Sequence, residues 1–126
     1  MQGDKTECGV LPDYIRARFP VLSCAEGGEG PILLAGRGNI NELLRFLRDD
    51  PQCLYTQLVD ITAVDYPPRA ERFEIVYNLL SMQHNRRIRV KIAAGEETPV
   101  PSAVEVFSSA GWLEREVWDM YGVMFE

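Results

Sequence analysis

At 126 residues, 46% hydrophobic and 25% charged, the chain has the size and composition of one folded domain, 1–126, that needs neither disulfide nor metal staples. Its apolar runs are only a few residues long, far short of the roughly 20 that cross a bilayer, and Met1 to Val10 lacks the basic-then-apolar layout of a signal peptide. Thirteen basic residues against nineteen acidic give a net charge of −6, which disfavours a sequence-independent grip on nucleic acid.

Leu11 to Phe19 opens with Pro12, whose fixed φ suits a first helical turn, and sets Ile15 and Phe19 one turn apart before Pro20 ends the run. A short helix is expected there. Val21 to Cys24 and Pro31 to Ala35 are apolar runs separated by Glu26-Gly27-Gly28-Glu29-Gly30, whose glycines suit a hairpin loop between two strands. That loop is not a phosphate cradle, because it lacks a P-loop lysine and the strand–turn–helix setting of a dinucleotide site.

Asn39 followed by Glu42 has the outline of a capping box, and Ile40, Leu43, Leu44 and Leu47 repeat at i, i+3, i+4 and i+7. The pattern predicts a helix that ends at Asp49-Asp50-Pro51, since a proline disfavours helical geometry in the residue before it. β-Branched residues from Leu54 to Tyr66 predict a strand closed by Pro67-Pro68. Phe73 to Leu80 and Arg87 to Ile92 are expected to be two more strands joined by the polar 81–86 stretch. Along the second of them Ile88, Val90 and Ile92 face one way and Arg87, Arg89 and Lys91 the other, giving one buried face and one basic face. A wet outer sheet face is the ordinary reading of that basic row, with a docking patch as the alternative. Ser102 and Glu105 form a second Ser-x-x-Glu capping outline, and a helical run from Ala110 to Tyr121 ends at Gly122, suited to a C-terminal cap. The expected fold is α+β in two layers, with helices packed on a mixed, largely antiparallel sheet of about five strands.

No catalytic constellation is visible. Glu114 and Glu116, two apart on a helix, point about 200° away from each other and cannot converge on one atom. His84 is the only histidine and lies in a predicted hairpin connection without an identifiable triad partner. Cys8, Cys24 and Cys53 are odd in number and widely spaced, which fits reduced cytosolic thiols better than a disulfide framework, a zinc site or an iron–sulfur site.

On a wheel of about 100° per residue, Leu113, Val117, Met120 and Tyr121 form a core-facing arc, with Arg115 and Asp119 paired on the opposite side. Trp112 and Glu116 lie near that polar side. Trp112 beside Arg115 and acids has the composition of an interface anchor, the alternative being a Trp half-buried under the preceding loop. Glu114 falls beside Trp118 and Tyr121 and, if buried, needs a hydrogen-bond donor.

Three segments, 60–67 (Asp-Ile-Thr-Ala-Val-Asp-Tyr-Pro), 73–81 with its partner strand 87–92, and 110–122 with its Glu114-Arg115-Glu116 core, together resemble the thirty-kilodalton (C) subunit family of respiratory complex I. The likeness runs through the 39–52 helix and covers most of the chain from about Leu11 onward. The resemblance implies a cofactor-free structural and assembly subunit, accessory to NADH:quinone oxidoreductase and without an active site of its own. Its implied partners are the quinone-site subunit of the forty-nine-kilodalton type and neighbouring iron–sulfur subunits of the peripheral arm, without a membrane span or nucleic acid. The implied location is the cytoplasmic face of a bacterial inner membrane, or the matrix face in mitochondria. Trp112, Glu114, Arg115, Glu116, Asp119 and Gly122 are the implied signature and interface residues. Related domains occur in membrane-bound energy-converting hydrogenases and formate hydrogenlyase, the alternative hosts. Two departures stand out: Gly111 replaces the family's usual Asn, and family members continue past the position of Glu126 with a Gly-His-Pro-Asp-Leu-Arg-Arg stretch and a basic tail. The chain is therefore expected to be the globular part of a longer protein.

Overall fold

The computed structural model describes residues 15, 23–27, 30–68, 72–95 and 99–125, with backbone alone for 23–27 and 30. The elements are β1 (Ser23–Gly27), β2 (Gly30–Leu34), a 3-10 turn (Arg37–Asn39), α1 (Ile40–Asp49), β3 (Gln57–Asp65), β4 (Phe73–Ser81), β5 (Arg86–Ala94) and α2 (Ala110–Tyr121). The helix expected over 11–19 lies outside the described residues except for Ile15, which is helical and fully buried in the core.

The strands form one five-stranded sheet in the order β1-β2-β5-β4-β3. The β1–β2, β3–β4 and β4–β5 pairings are antiparallel, and β2–β5 is parallel. This is the mixed, largely antiparallel sheet of a two-layer α+β domain. The parallel pair is the non-local one: the chain leaves β2, builds α1, β3 and β4, and only then returns as β5 to lie between β2 and β4.

α1 forms because its apolar residues recur at helical spacing, and Ile40, Leu43, Leu44 and Leu47 all have no exposed surface. It stops where Asp50, held extended before Pro51 (φ −67°, ψ 130°), donates its amide to the Phe46 carbonyl at 2.9 Å. The capping box expected at Asn39 is not made. The chain enters the helix through the 3-10 turn, which leaves Asn39 at φ −124°, ψ 20° with no side-chain cap bond. Its amide instead donates to the Gly36 carbonyl at 3.3 Å.

β3 begins at Gln57 rather than at Leu54. The amides of Cys53 and Leu54 both turn back to the Asp50 carbonyl at 2.9 Å, and Leu54 has φ 51°, so extended pairing starts only beyond this turn. A bulge between Leu58 and Asp60 then shifts the register against β4 and leaves Val59 43% exposed.

On β5 the two-residue period holds as expected, whereas on β4 Val76 of the opposite face is buried as well. Phe73, Ile75, Tyr77 and Leu79, together with Ile88, Val90 and Ile92, are buried on the face that meets the helices. The expected Ser102–Glu105 capping box is also absent. Residues 104–106 form a turn, Glu105 is exposed, and α2 starts later, at Ala110.

Candidate functional site

The α2 helix and its C-terminal cap carry all six residues that the sequence points to, and the two faces of the helix have unlike chemistry. Ala110, Glu114 and Val117 are buried, and Leu113 and Tyr121 pack partly against the core. The Tyr121 ring meets Phe73 edge-on, with centroids 6.2 Å apart at 73°. The inward stripe is thus 110, 114, 117 and 121, at i, i+4, i+7 and i+11. Met120, expected in the core arc, is instead 75% exposed. It sits about 100° around the helix from Tyr121, and Tyr121 takes the core position beside Phe73.

Glu114 is only 6% exposed, and the donors that its burial demands are present. The Ser102 hydroxyl donates to Oε1 at 2.8 Å and the Ala103 amide to Oε2 at 2.7 Å. Burial holds the carboxyl above the usual carboxylate range, and the bonds from Ala103 and Ser102 oppose that rise without cancelling it. The Tyr77 phenol, buried with no hydrogen-bond partner among the described residues, is pushed up by burial first and by the charge of Glu114 second. The carboxylate therefore fastens the 102–103 segment, which precedes the helix, onto the helix itself. Sequence reasoning assigns Ser102 a capping role and misses this bond. Nothing local signals a partner 12 residues away.

The outward face is apolar and charged together. Trp112 is 70% exposed, Trp118 47% and Met124 50%. Trp112 is therefore not tucked under the preceding loop. Arg115 and Asp119 pair one turn apart, Nε to Oδ2 at 3.4 Å, with both side chains mostly in solvent. Glu116 is exposed, so Glu114 and Glu116 diverge as expected. Gly122 ends the helix in the left-handed region (φ 76°), its amide donating to the Trp118 carbonyl at 2.9 Å. Beyond it, the Val100 amide donates to the Met124 carbonyl at 2.8 Å and Phe125 bridges to Val100. This return closes a depression of about 420 Å³ lined by Gly111, Glu114, Arg115, Trp118, Met124 and Phe125.

The residues considered for chemistry elsewhere are scattered. His84 Nε2 lies 2.9 Å from the Pro51 carbonyl, and the His84 amide donates to the Ser81 hydroxyl at 3.2 Å, so this residue ties the β4–β5 hairpin to the turn after α1. Cys53 is buried and is in no disulfide. Among the described residues no group of three or more His, Cys, Asp or Glu is placed to hold a metal ion, and no helix is long and apolar enough to cross a membrane.

Comparison with known proteins gives this arrangement a family. The chain is 64% identical over 93 residues to the C subunit of NADH-quinone oxidoreductase from Rhodospirillum rubrum, covering 74% of this chain and 44% of that protein. It is 61% identical over 118 residues to the C subunit of the same name from Paramagnetospirillum magneticum, covering 91% of this chain and 59% of that protein. The chain thus spans about half the length of these relatives. Among solved structures, the fold is shared with a chain in the structure of the membrane-bound sulfane sulfur reductase, an archaeal respiratory membrane complex. That match has a TM-score of 0.77 at 24% identity, and it covers 92% of this chain and 68% of that one. The family profile described as respiratory-chain NADH dehydrogenase, 30 Kd subunit, matches residues 34–126, and the chain belongs to that family.

Proposed function

We propose that the chain is the globular part of the C subunit of a respiratory NADH:quinone oxidoreductase, a structural and assembly component of the peripheral arm. In this reading it holds no redox centre and no active site. It is accessory to electron transfer from NADH to quinone coupled to proton translocation, which its neighbours perform. Relatives at 48–64% identity that carry the C-subunit name support the host complex.

The observation that carries the scaffold role is the outward face of α2. Two tryptophans and two methionines stand 47–75% exposed around an Arg–Asp pair on one helix and the segment after it. Aromatic, Met and Arg side chains are the residues enriched at the centres of protein interfaces. Leaving such surface in water is unfavourable unless a partner covers it. The partners in this reading are the quinone-site subunit and the adjoining iron–sulfur subunits. The location is peripheral, on the cytoplasmic face of a bacterial inner membrane or the matrix face in mitochondria.

A second reading keeps the scaffold role and changes the host to a membrane-bound hydrogenase or formate hydrogenlyase. The shared fold with a chain of another respiratory membrane complex favours it, and the more similar relatives favour the first.

The test is affinity purification of the tagged chain from cells that assemble the complex. The quinone-site subunit and NADH:quinone reductase activity should co-purify, while the isolated chain should be colourless and fail to oxidise NADH. A hydrogenase in the eluate selects the second host. Visible absorbance in proportion to the isolated chain, or NADH turnover by it, refutes the cofactor-free scaffold.

A further inference from the structure

The sheet face turned away from the helices holds a feature that α2 does not use. On β5 the residues between the buried Ile88, Val90 and Ile92 project to this outer face, which aligns Arg87, Arg89 and Lys91. The register sets Arg89 beside Asn78 and Lys91 beside Val76 on β4, and these lie next to Asp60 and Thr62 of β3. Together they floor a groove of about 380 Å³, with the basic row of β5 along one side and Val59 and Val64 of β3 along the other. Those valines are 43% and 40% exposed.

The charges in the groove are unevenly paired. Asn78 Nδ2 donates to Asp60 Oδ1 at 2.5 Å, which engages one oxygen of that carboxylate, and Lys91 Nζ lies 3.5 Å from Glu74. Arg87 and Arg89 have no ion pair or side-chain hydrogen bond among the described residues. Two uncompensated guanidiniums on one strand are conspicuous in a chain of net charge −6. Side chains at i and i+2 on a strand stand about 6.6–6.8 Å apart. The same spacing separates alternate residues of an extended partner, so two carboxylates placed two residues apart meet Arg87 and Arg89 in register. Apolar residues of such a segment find Val59 and Val64 across the groove. A phosphate-rich lipid surface fits less well, because a headgroup layer offers neither the two-residue spacing of a strand nor side chains to fill the groove beside Val59 and Val64.

We propose that this outer-face groove docks an acidic, extended segment of a neighbouring protein subunit, with its carboxylates on Arg87 and Arg89 and its apolar residues over Val59 and Val64. The chain is then gripped on two opposite faces, by α2 and by the sheet. That the partner is a component of the respiratory complex rests on the function proposed above. The groove and its ligand chemistry do not.

The binding test titrates the isotope-labelled chain with a synthetic alternating Glu–Val peptide and follows backbone amide shifts. Shifts should concentrate on residues 87–91 and 59–64, weaken with salt, and fall about tenfold in affinity in the Arg87→Glu/Arg89→Glu variant. If that variant loses its folded spectrum, Arg87→Gln/Arg89→Gln is read in its place and should also lose binding. Absence of shifts there, an equal response to a Lys–Val peptide, or unchanged affinity in the folded variant overturns the proposal. Tighter binding of phosphatidylglycerol vesicles at the same amides overturns it in favour of a membrane.

In the assembled complex, carbodiimide should couple the amine introduced by Arg89→Lys to a carboxylate of another protein in the assembly. Coupling confined to this chain overturns the docking. A chain that never enters the complex refutes the scaffold reading and leaves the peptide result to decide the groove.

Discussion

The two described helices divide the work of the domain. α1 is built for folding: its four inward residues are all aliphatic, all without exposed surface, and spaced at helical intervals. α2 is of similar length but reverses the pattern, burying a carboxylate at Glu114 and leaving Trp112, Trp118 and Met120 in solvent. A helix that serves only the core has no reason to do either. α1 therefore serves the core alone, while α2 is held by its apolar stripe together with the Glu114 bonds so that its other face stays available.

The division of labour can be tested at its strongest point first. Leu43→Ala on α1 removes a side chain with no exposed surface, and should cost about 2–5 kcal/mol in denaturant unfolding by lost transfer energy plus cavity. A loss under about 1 kcal/mol would show that α1 is not an anchor of the core.

On α2, Glu114→Ala leaves the buried Ala103 amide without its acceptor and should cost about 1–3 kcal/mol. Glu114→Gln should cost less, because its amide oxygen accepts from Ala103 while its NH₂ donates to the Ser102 oxygen. The two variants also separate packing from charge through pH. Because burial raises the folded carboxyl above its ordinary 4.5, the folded state binds this proton more tightly than the unfolded one. The linked stabilisation is full below the unfolded value and is lost as pH rises through the folded one. Wild type minus Glu114→Gln should therefore show unfolding free energy falling as pH rises from the ordinary value upward. A difference that is flat, or rises with pH, would show that the bonds from Ser102 and Ala103 outweigh burial.

Gly122→Ala probes the end of α2. An added Cβ meets nothing within 4 Å, so the cost is backbone strain alone at φ 76°, about 1 kcal/mol by thermal unfolding. The smallest stability change belongs to the outward face. Asp119→Lys breaks an exposed one-turn pair and should alter unfolding by no more than about 0.5 kcal/mol, yet reduce co-purification with the complex. A large loss of stability with intact assembly would make the pair structural and remove the distinction between the helices.

Much of the fold follows from repeats that are visible along the chain. The 110–121 helix ending at Gly122, and the strands beginning at Phe73 and Arg86, lie within a few residues of where spacing places them. In each, the signal is a period of side-chain burial, and that period belongs to the element itself. The two capping outlines fail because a cap depends on how the chain arrives. A 3-10 turn brings Asn39 in at the wrong angle, and after Ser102 the chain makes only a turn, in which the Val106 and Phe107 amides both return to the Ala103 carbonyl.

What can be read along the chain is therefore local and periodic: α1 by its leucine stripe, β5 by the alternation of Ile88, Val90 and Ile92 with a basic row, and the stop at Gly122. Only folding in three dimensions decides the parallel seating of β5 beside β2, the choice of Tyr121 over Met120 for the core, the pairing of Glu114 with Ser102 and Ala103, and the gathering of Asp60, Asn78 and Arg89 into one groove. The cause is the same in each case. These contacts join segments remote in sequence, where loop closure and the competition of several side chains for one buried space set the outcome, and neither leaves a trace in spacing along the chain.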